Sequence, residues 1–228
     1  MRHVVVLSPH LDDAVFSVGA LTRSLTRRGV LVTGVTVLAG DPDSAAPAGR
    51  WDARSGFSTQ GEAARRRRDE DRRAWRRLGA RAVWLPHADE QYPRLAADST
   101  IAAEITRATA DADAVLVPGF PLRHDDHRWL SALASDPAVI EPARLGFYVE
   151  QPYAAALNEE PVLPVEAPYG MEWSVEPARA RERWAKLRAV SHYRSQHRSL
   201  GRHWYRRVTI YEISRGGETV AWPRTTLT

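Results

Sequence analysis

Two short segments carry side chains whose types and spacing suit a catalytic metal centre. The first is Ser8-Pro9-His10-Leu11-Asp12-Asp13. His10 and Asp13 stand three residues apart and can converge on one ion, while Asp12 between them points elsewhere in the same pocket. The second is His124-Asp125-Asp126-His127. Each segment alone has an ordinary explanation: Asp12 or Asp13 could cap a helix, and the two histidines could be loop residues. Together, His10, Asp13 and one histidine of the second segment make a two-histidine, one-carboxylate set. Such a set leaves a coordination position open for water, as a catalytic zinc requires. Fe²⁺ or another divalent ion fits the same donors, so a non-haem oxygenase and a non-catalytic metal-binding protein are rival readings. Asp12, which a mere binding site would not need, favours catalysis.

The surrounding sequence supplies strands to present both segments. Residues 3–8 are a nearly continuous apolar run, as in a strand buried on both faces. Residues 14–28 carry Ala14, Val15, Val18, Leu21 and Leu25 at helical spacing and stop at Gly29, and a second β-branched run spans residues 31–38. This βαβ order predicts a parallel sheet with a right-handed crossover. Further strands are expected at residues 82–85, 114–117 and 145–149, and helices at 62–79, 97–110, 128–135 and 177–191. Both candidate segments then follow strands, the edge where open parallel sheets bind ligands. Residues 40–61 read as a long mobile loop and residues 151–176 as an irregular lid. The alternation in residues 203–224 (Val208, Ile210, Ile213, Val220, Trp222) suggests an antiparallel pair. No boundary divides the chain, so residues 1–228 are expected to form one domain.

Composition narrows the function. The chain has 228 residues and no cysteine, so disulfides are excluded and a metal must be held by His, Asp, Glu or water. A net charge of +4 is modest. The arginines of residues 65–77 alternate with Glu62, Asp69, Glu70 and Asp71, and pairs such as Arg66/Glu70 suit a solvated, ion-paired helix better than a nucleic-acid surface. No nucleic-acid partner is therefore expected. No apolar run is long enough to span a membrane or act as a secretory signal, and a cytoplasmic location is the default expectation. No glycine-rich nucleotide loop and no G-x-S-x-G elbow appears. His3, His87, His192, His197 and His203 are read as surface or core residues, and Trp51 as a residue able to stack on a sugar ring.

The segment Ser8–Asp13 resembles the first motif of the GlcNAc-phosphatidylinositol/LmbE-like N-deacetylases, Pro-His-Pro-Asp-Asp, with Leu11 in place of the second proline. His124-Asp125-Asp126-His127-Arg128 resembles that family's His-x-Asp-His segment. Arg67-x-x-Glu70-x-x-x-Ala74-x-x-x-Leu78-Gly79 and Lys186-x-x-Ala189-x-x-x-Tyr193-x-Ser195-Gln196 resemble two further stretches, in the family's order. The resemblance implies an α/β fold: a Rossmann-like, mostly parallel sheet with helices on both faces and a small antiparallel C-terminal extension. It implies one Zn²⁺ held by His10, Asp13 and His127, Asp12 as general base, and His124 as stabiliser of the oxyanion with Asp126 orienting or tuning it. It also implies a small N-acylated, sugar-like substrate, with Arg67 near its pocket. Leu122 stands where some members carry a tyrosine that helps hold the oxyanion, which leaves Tyr153 and Tyr169 of the lid as replacements. Tyr193 occupies a position where a histidine is often seen. The sequence is compatible with a homo-oligomer.

Overall fold

The computed structural model describes residues 1–157, 159–196 and 204–223. Its elements run β1 (His3–Ser8), α1 (Asp13–Arg27), β2 (Leu31–Thr36), α2 (Arg50–Arg54), α3 (Gln60–Leu78), β3 (Arg81–Trp84), α4 (Asp98–Ala108) and β4 (Ala114–Phe120). They continue with α5 (Asp125–Ser135), β5 (Leu145–Val149), α6 (Tyr153–Leu157), β6 (Ser174–Pro177), α7 (Ala180–Val190), α8 (Trp204–Ser214) and β7 (Gly217–Ala221).

The strands form one seven-stranded sheet in the order β3-β2-β1-β4-β5-β7-β6. The pairs from β3 through β5 are parallel, and β7 runs antiparallel to both β5 and β6. Alternate side chains of β1 face opposite layers, as strand geometry requires. Val4 and Val6 pack with α1, α3, α7 and α8, whereas Val5 and Leu7 pack with α4 and α5. Because β1 is covered on both faces, its sequence is apolar from Val4 to Leu7 without alternation. Gly34 of β2 gives room to the indole of Trp75 from α3, where a Cβ would stand 2.1 Å from the ring. Among the described residues no helix is long and apolar enough to cross a membrane.

Several expected elements are corrected. The segment 203–224, whose end residues lie outside the described ones, is not a strand pair. Its first part is helix α8, and only β7 joins the sheet. Val208 and Tyr211 are buried while Ile210 and Ile213 are more than half exposed, so the buried face has a helical period. The long loop of residues 40–61 contains α2 and a bridge between Pro47 and Thr59, and the lid contains α6 and β6. The helix expected from residue 128 begins at Asp125, which puts His127 in its first turn. On α3, Glu70 does not pair with Arg66. It is buried and accepts bonds from the backbone N–H and hydroxyl of Ser195.

One buried ionic cluster ties the last strand to the first helix. Backbone angles at Val18 leave the helical region, and the freed N–H groups of Ala20 and Leu21 donate to the Glu218 carboxylate of β7 at 3.0 and 2.6 Å. Lys186, 2% exposed, donates from Nζ to Glu218 at 2.6 Å and also to Glu212. Gly19 lets its stem pass, since a Cβ there would lie 3.0 Å from Lys186 Cγ. Lys186→Met removes the cation and leaves two carboxylates buried, a change expected to cost about 3–5 kcal/mol. Urea denaturation measures it, and a loss below about 1 kcal/mol would show that the cluster contributes little.

Candidate metal centre

The loop after β1 is tied down before any ion is considered. Ser8 Oγ donates to the carbonyl of His10 at 2.7 Å and accepts the N–H of Ala14 at 3.1 Å. Asp13 then opens α1, and its carboxylate accepts the backbone N–H of His10 at 2.9 Å. Asp12 holds the N-cap position without making a side-chain capping bond, so the ordinary explanation for these aspartates does not hold. In the loop after the neighbouring strand β4, His124 is the N-cap of α5, accepting the N–H of Asp126 at Nδ1 over 3.3 Å. That contact places the proton of a neutral His124 on Nε2.

Strands β1 and β4 are adjacent at the point where strand order reverses, and their following loops meet there. His10 Nδ1 lies 3.2 Å from Asp13 Oδ2, His127 Nε2 lies 3.3 Å from the same oxygen, and the two nitrogens are 3.2 Å apart. Three ligands bound tetrahedrally at about 2.0–2.2 Å are separated by about 3.3–3.5 Å. The three atoms therefore fit one zinc ion and leave a fourth position. Two wider groupings, His10/His124/His127 and Glu90/His124/Asp126, have donor atoms within 4.8 Å of one another. Both need His124, whose Nδ1 is engaged by backbone and whose Nε2 faces Glu90 Oε1 at 3.2 Å. The tight triangle is the better metal seat.

Each histidine of the triangle is held from behind by a carboxylate, an arrangement that fixes tautomer and ring orientation in zinc sites. His10 Nε2 meets Asp126 Oδ2 at 3.0 Å, and His127 Nδ1 meets Glu150 at the end of β5. The Asp126 carboxylate binds His10 and Arg94 directly, and Asp126 acts on His124 through its backbone N–H and its charge. Glu150 is absent from the sequence reading, although its place at a strand's C-terminal end beside β4 is a signal of the same kind as His10. Glu150→Gln keeps the shape but weakens the acceptor, and should lower zinc affinity about 10–100-fold. Competition against a chromogenic chelator reads this directly, and unchanged affinity would remove Glu150 from the centre.

The charges follow from the packing. Burial opposes a proton on His10, but bonds to Asp126 and Asp13 outweigh it and raise the imidazole to about 9. For His127, burial is likewise outweighed by Asp13 and Glu150, giving about 11. Asp13 is held far below the usual carboxylate range despite its burial, through His127 and His10. Asp12 goes the other way: burial and then the Asp13 charge push it well above that range, with Arg67 and His10 pulling back. A carboxyl group with such raised proton affinity in a cavity suits acid–base work. His124 is lowered by burial and by His10 and His127, with Glu90 and Asp126 acting the other way.

His10, Asp12, Asp13, Trp51, Arg67, Glu90, Gln91, His124, Tyr153 and Gln196 line one cavity of about 180 Å³. Arg67 pairs with Asp52 at 3.2 Å, and Trp51 of α2 donates its indole N–H to Gln196 at 3.2 Å. Of the lid tyrosines, Tyr153 reaches the cavity, while Tyr169 is 96% exposed. Tyr193 is buried against Asp71. Leu122 has a positive φ of 51° and gives its N–H to Glu150. His3 meets Thr33 and His87 meets Glu104, away from the metal seat. His197 and His203 lie outside the described residues.

A family model described as GlcNAc-PI de-N-acetylase (PIG-L) matches residues 5–137. No curated protein matches the chain by sequence. Among solved structures it is similar to an A40926 pseudoaglycone deacetylase, at 28% identity and a TM-score of 0.77, over 97% of this chain and 96% of that one. It is similar to the zinc-inhibited form of a teicoplanin deacetylase at 24% identity and a TM-score of 0.80, over 96% and 97%. The N,N'-diacetylchitobiose deacetylase of Pyrococcus horikoshii gives 18% and 0.62, over 97% and 82%.

Proposed function

The chain belongs to the GlcNAc-PI de-N-acetylase family, and from that premise we propose that it hydrolyses the N-acetyl group of an amino sugar carried on a glycosylated small metabolite. The observation that carries the reading is the triangle of His10, Asp13 and His127 with Asp12 beside it in one cavity. The near end-to-end likeness to a pseudoaglycone deacetylase supports the glycosylated class of substrate.

Zinc is the cofactor: when bound, it makes water acidic enough to ionise near neutral pH and polarises the acyl oxygen. Asp12 takes the proton from the attacking water and returns it to the amine nitrogen as the C–N bond breaks. The products are acetate and a free amine. The His124 Nε2–H, which faces Glu90 at 3.2 Å in the resting site, turns from that carboxylate to the acyl oxygen as negative charge gathers there. Asp126 and Glu150 keep the ligating imidazoles in place. Trp51 and Arg67 shape the sugar side of the cavity, and no nucleic acid takes part.

The test is acetate release from N-acetylglucosamine, N,N'-diacetylchitobiose and an N-acetylglucosaminyl glycopeptide pseudoaglycone, followed by proton NMR on zinc-loaded protein. Release from the glycopeptide with little from the free sugar is the expected result. No acetate from any of them, at verified zinc content, would sink the substrate reading.

A further inference from the structure

We propose that a cleft at the far end of α1 from the metal centre binds an organic diphosphate, with its phosphates on arginines and its flat ring on Trp184. Helices α1, α3 and α7 meet there around a cavity of about 170 Å³ lined by Arg23, Arg27, Arg77, Arg181 and Trp184. That is room for roughly five waters. At 1.5 Å per residue, Arg27 lies about 20 Å along α1 from Asp13, so the cleft is separate from the metal cavity and does not depend on the deacetylase reading.

Helix ends alone do not explain the cluster. Arg27 and Arg77 sit in the last turns of α1 and α3, where the helix dipole favours a cation, but Arg181 stands in the first turn of α7, where it opposes one. The guanidiniums are also held in place. Gly79, the C-cap of α3, has a φ of 82°, and a Cβ there would stand 3.2 Å from Arg23 Nη1. Arg23 thus lies over that helix end, with Nη1 3.5 Å from the Leu78 carbonyl. Buried Glu182 accepts Arg181 Nε at 2.7 Å and faces Arg27 Nε at 3.9 Å with the same oxygen. Both contacts use the Nε edge, which leaves the paired Nη nitrogens of each fork for another anion. Arg77 takes part in no ion pair among the described residues. Four cations therefore exceed their one paired carboxylate by three charges. Guanidinium forks match phosphate oxygens two by two, and a diphosphate ester carries about three negative charges at neutral pH. Trp184, 56% exposed, offers an indole face on which a flat ring stacks.

Calorimetry on the zinc-loaded chain, without magnesium, compares ADP, inorganic diphosphate and adenosine. ADP should bind at least about tenfold more tightly than adenosine. Arg77→Gln and Arg181→Gln should each weaken ADP about tenfold, the worth of a charge-assisted pair. Arg107→Gln removes the same charge from α4 and should change the affinity less than about twofold. Trp184→Ala should weaken ADP about tenfold and leave diphosphate within about twofold. ADP should also raise the melting temperature of wild type, but not that of the Arg77→Gln/Arg181→Gln double variant. Unchanged ADP affinity in both arginine variants would overturn the proposal by putting the phosphates on the zinc. An equal loss in Arg107→Gln would overturn it by reducing the effect to net charge, and an equal loss of diphosphate in Trp184→Ala would overturn the seat of the ring. A single-stranded DNA of about ten nucleotides that binds more tightly than ADP and responds to the same variants would replace the small ligand with nucleic acid.

Discussion

Asp12→Asn should retain its zinc and lose about 10²–10⁴-fold in rate, the usual worth of a general base, whereas Asp13→Ala should lose the zinc itself. The two neighbours are chemically identical, and only their surroundings separate them. Asp13 Oδ2 lies 3.2 and 3.3 Å from the imidazole nitrogens of His10 and His127 and also accepts the N–H of His10. Its removal takes away one donor of three and loosens the turn that presents another. Asp12 caps nothing, lines the cavity, and is pushed towards holding a proton by burial and by Asp13. An amide at position 12 preserves the shape but cannot accept the proton of water. Metal content and turnover are measured on the same preparations. Loss of zinc from Asp12→Asn with retention in Asp13→Ala would reverse the assignment, and full activity in both would remove these residues from the chemistry.

Prolonged chelation should abolish activity, Zn²⁺ should restore it, and His127→Ala should lose both metal and rate. The effect of pH on metal affinity can be signed. In the bare site His10 holds a proton up to about pH 9 and His127 up to about 11. Zinc needs both imidazoles neutral, so at pH 7 its binding expels protons and its affinity climbs with pH, by up to about tenfold per unit for each proton displaced. Stability of the metal-free protein has the opposite sign. These protonated imidazoles stabilise the fold fully below an unfolded pKa of about 6.5. That stabilisation fades as pH rises through 9 and then 11. Chelator competition at pH 6 and 8, alongside thermal melts with and without zinc, checks both slopes. Affinity independent of pH would contradict the protonated bare site, and full activity in verified metal-free protein would end the metal mechanism.

The sheet and the meeting of His10, Asp13 and His127 at its edge were readable because their signals are local. Val4-Val5-Val6-Leu7 is apolar without alternation, which only a strand covered on both faces explains, and His10 and Asp13 come immediately after it. What lay beyond the sequence depended on contacts distant along the chain. Asp126 reaches His10 across 116 positions, and nothing in His124-Asp125-Asp126-His127 shows which way its carboxylate turns. Glu70 sits among arginines yet faces inward to Ser195, 125 positions away. The C-terminal segment misled for another reason. Val208, Ile210 and Ile213 alternate loosely, but the buried set is Trp204, Val208 and Tyr211, spaced four and three apart as in a helix.

The Glu218 carboxylate that covers the interrupted turn of α1 also sets an order of events during synthesis. Ala20 and Glu218 are 198 positions apart, so at about 5–20 residues per second the ribosome needs roughly 10–40 s to deliver the partner. Through that interval the helix that begins with a proposed zinc ligand carries two uncovered N–H groups at its break, and the sheet edge beside β5 stands open for β7. Parallel pairing of β1, β2, β3, β4 and β5 can proceed meanwhile, because none of those strands requires β7. The proposed metal ligands can therefore come together before the break in α1 is covered, and a chain stalled between the two stages would leave the backbone groups along the free edge of β5 open to pairing with other nascent chains.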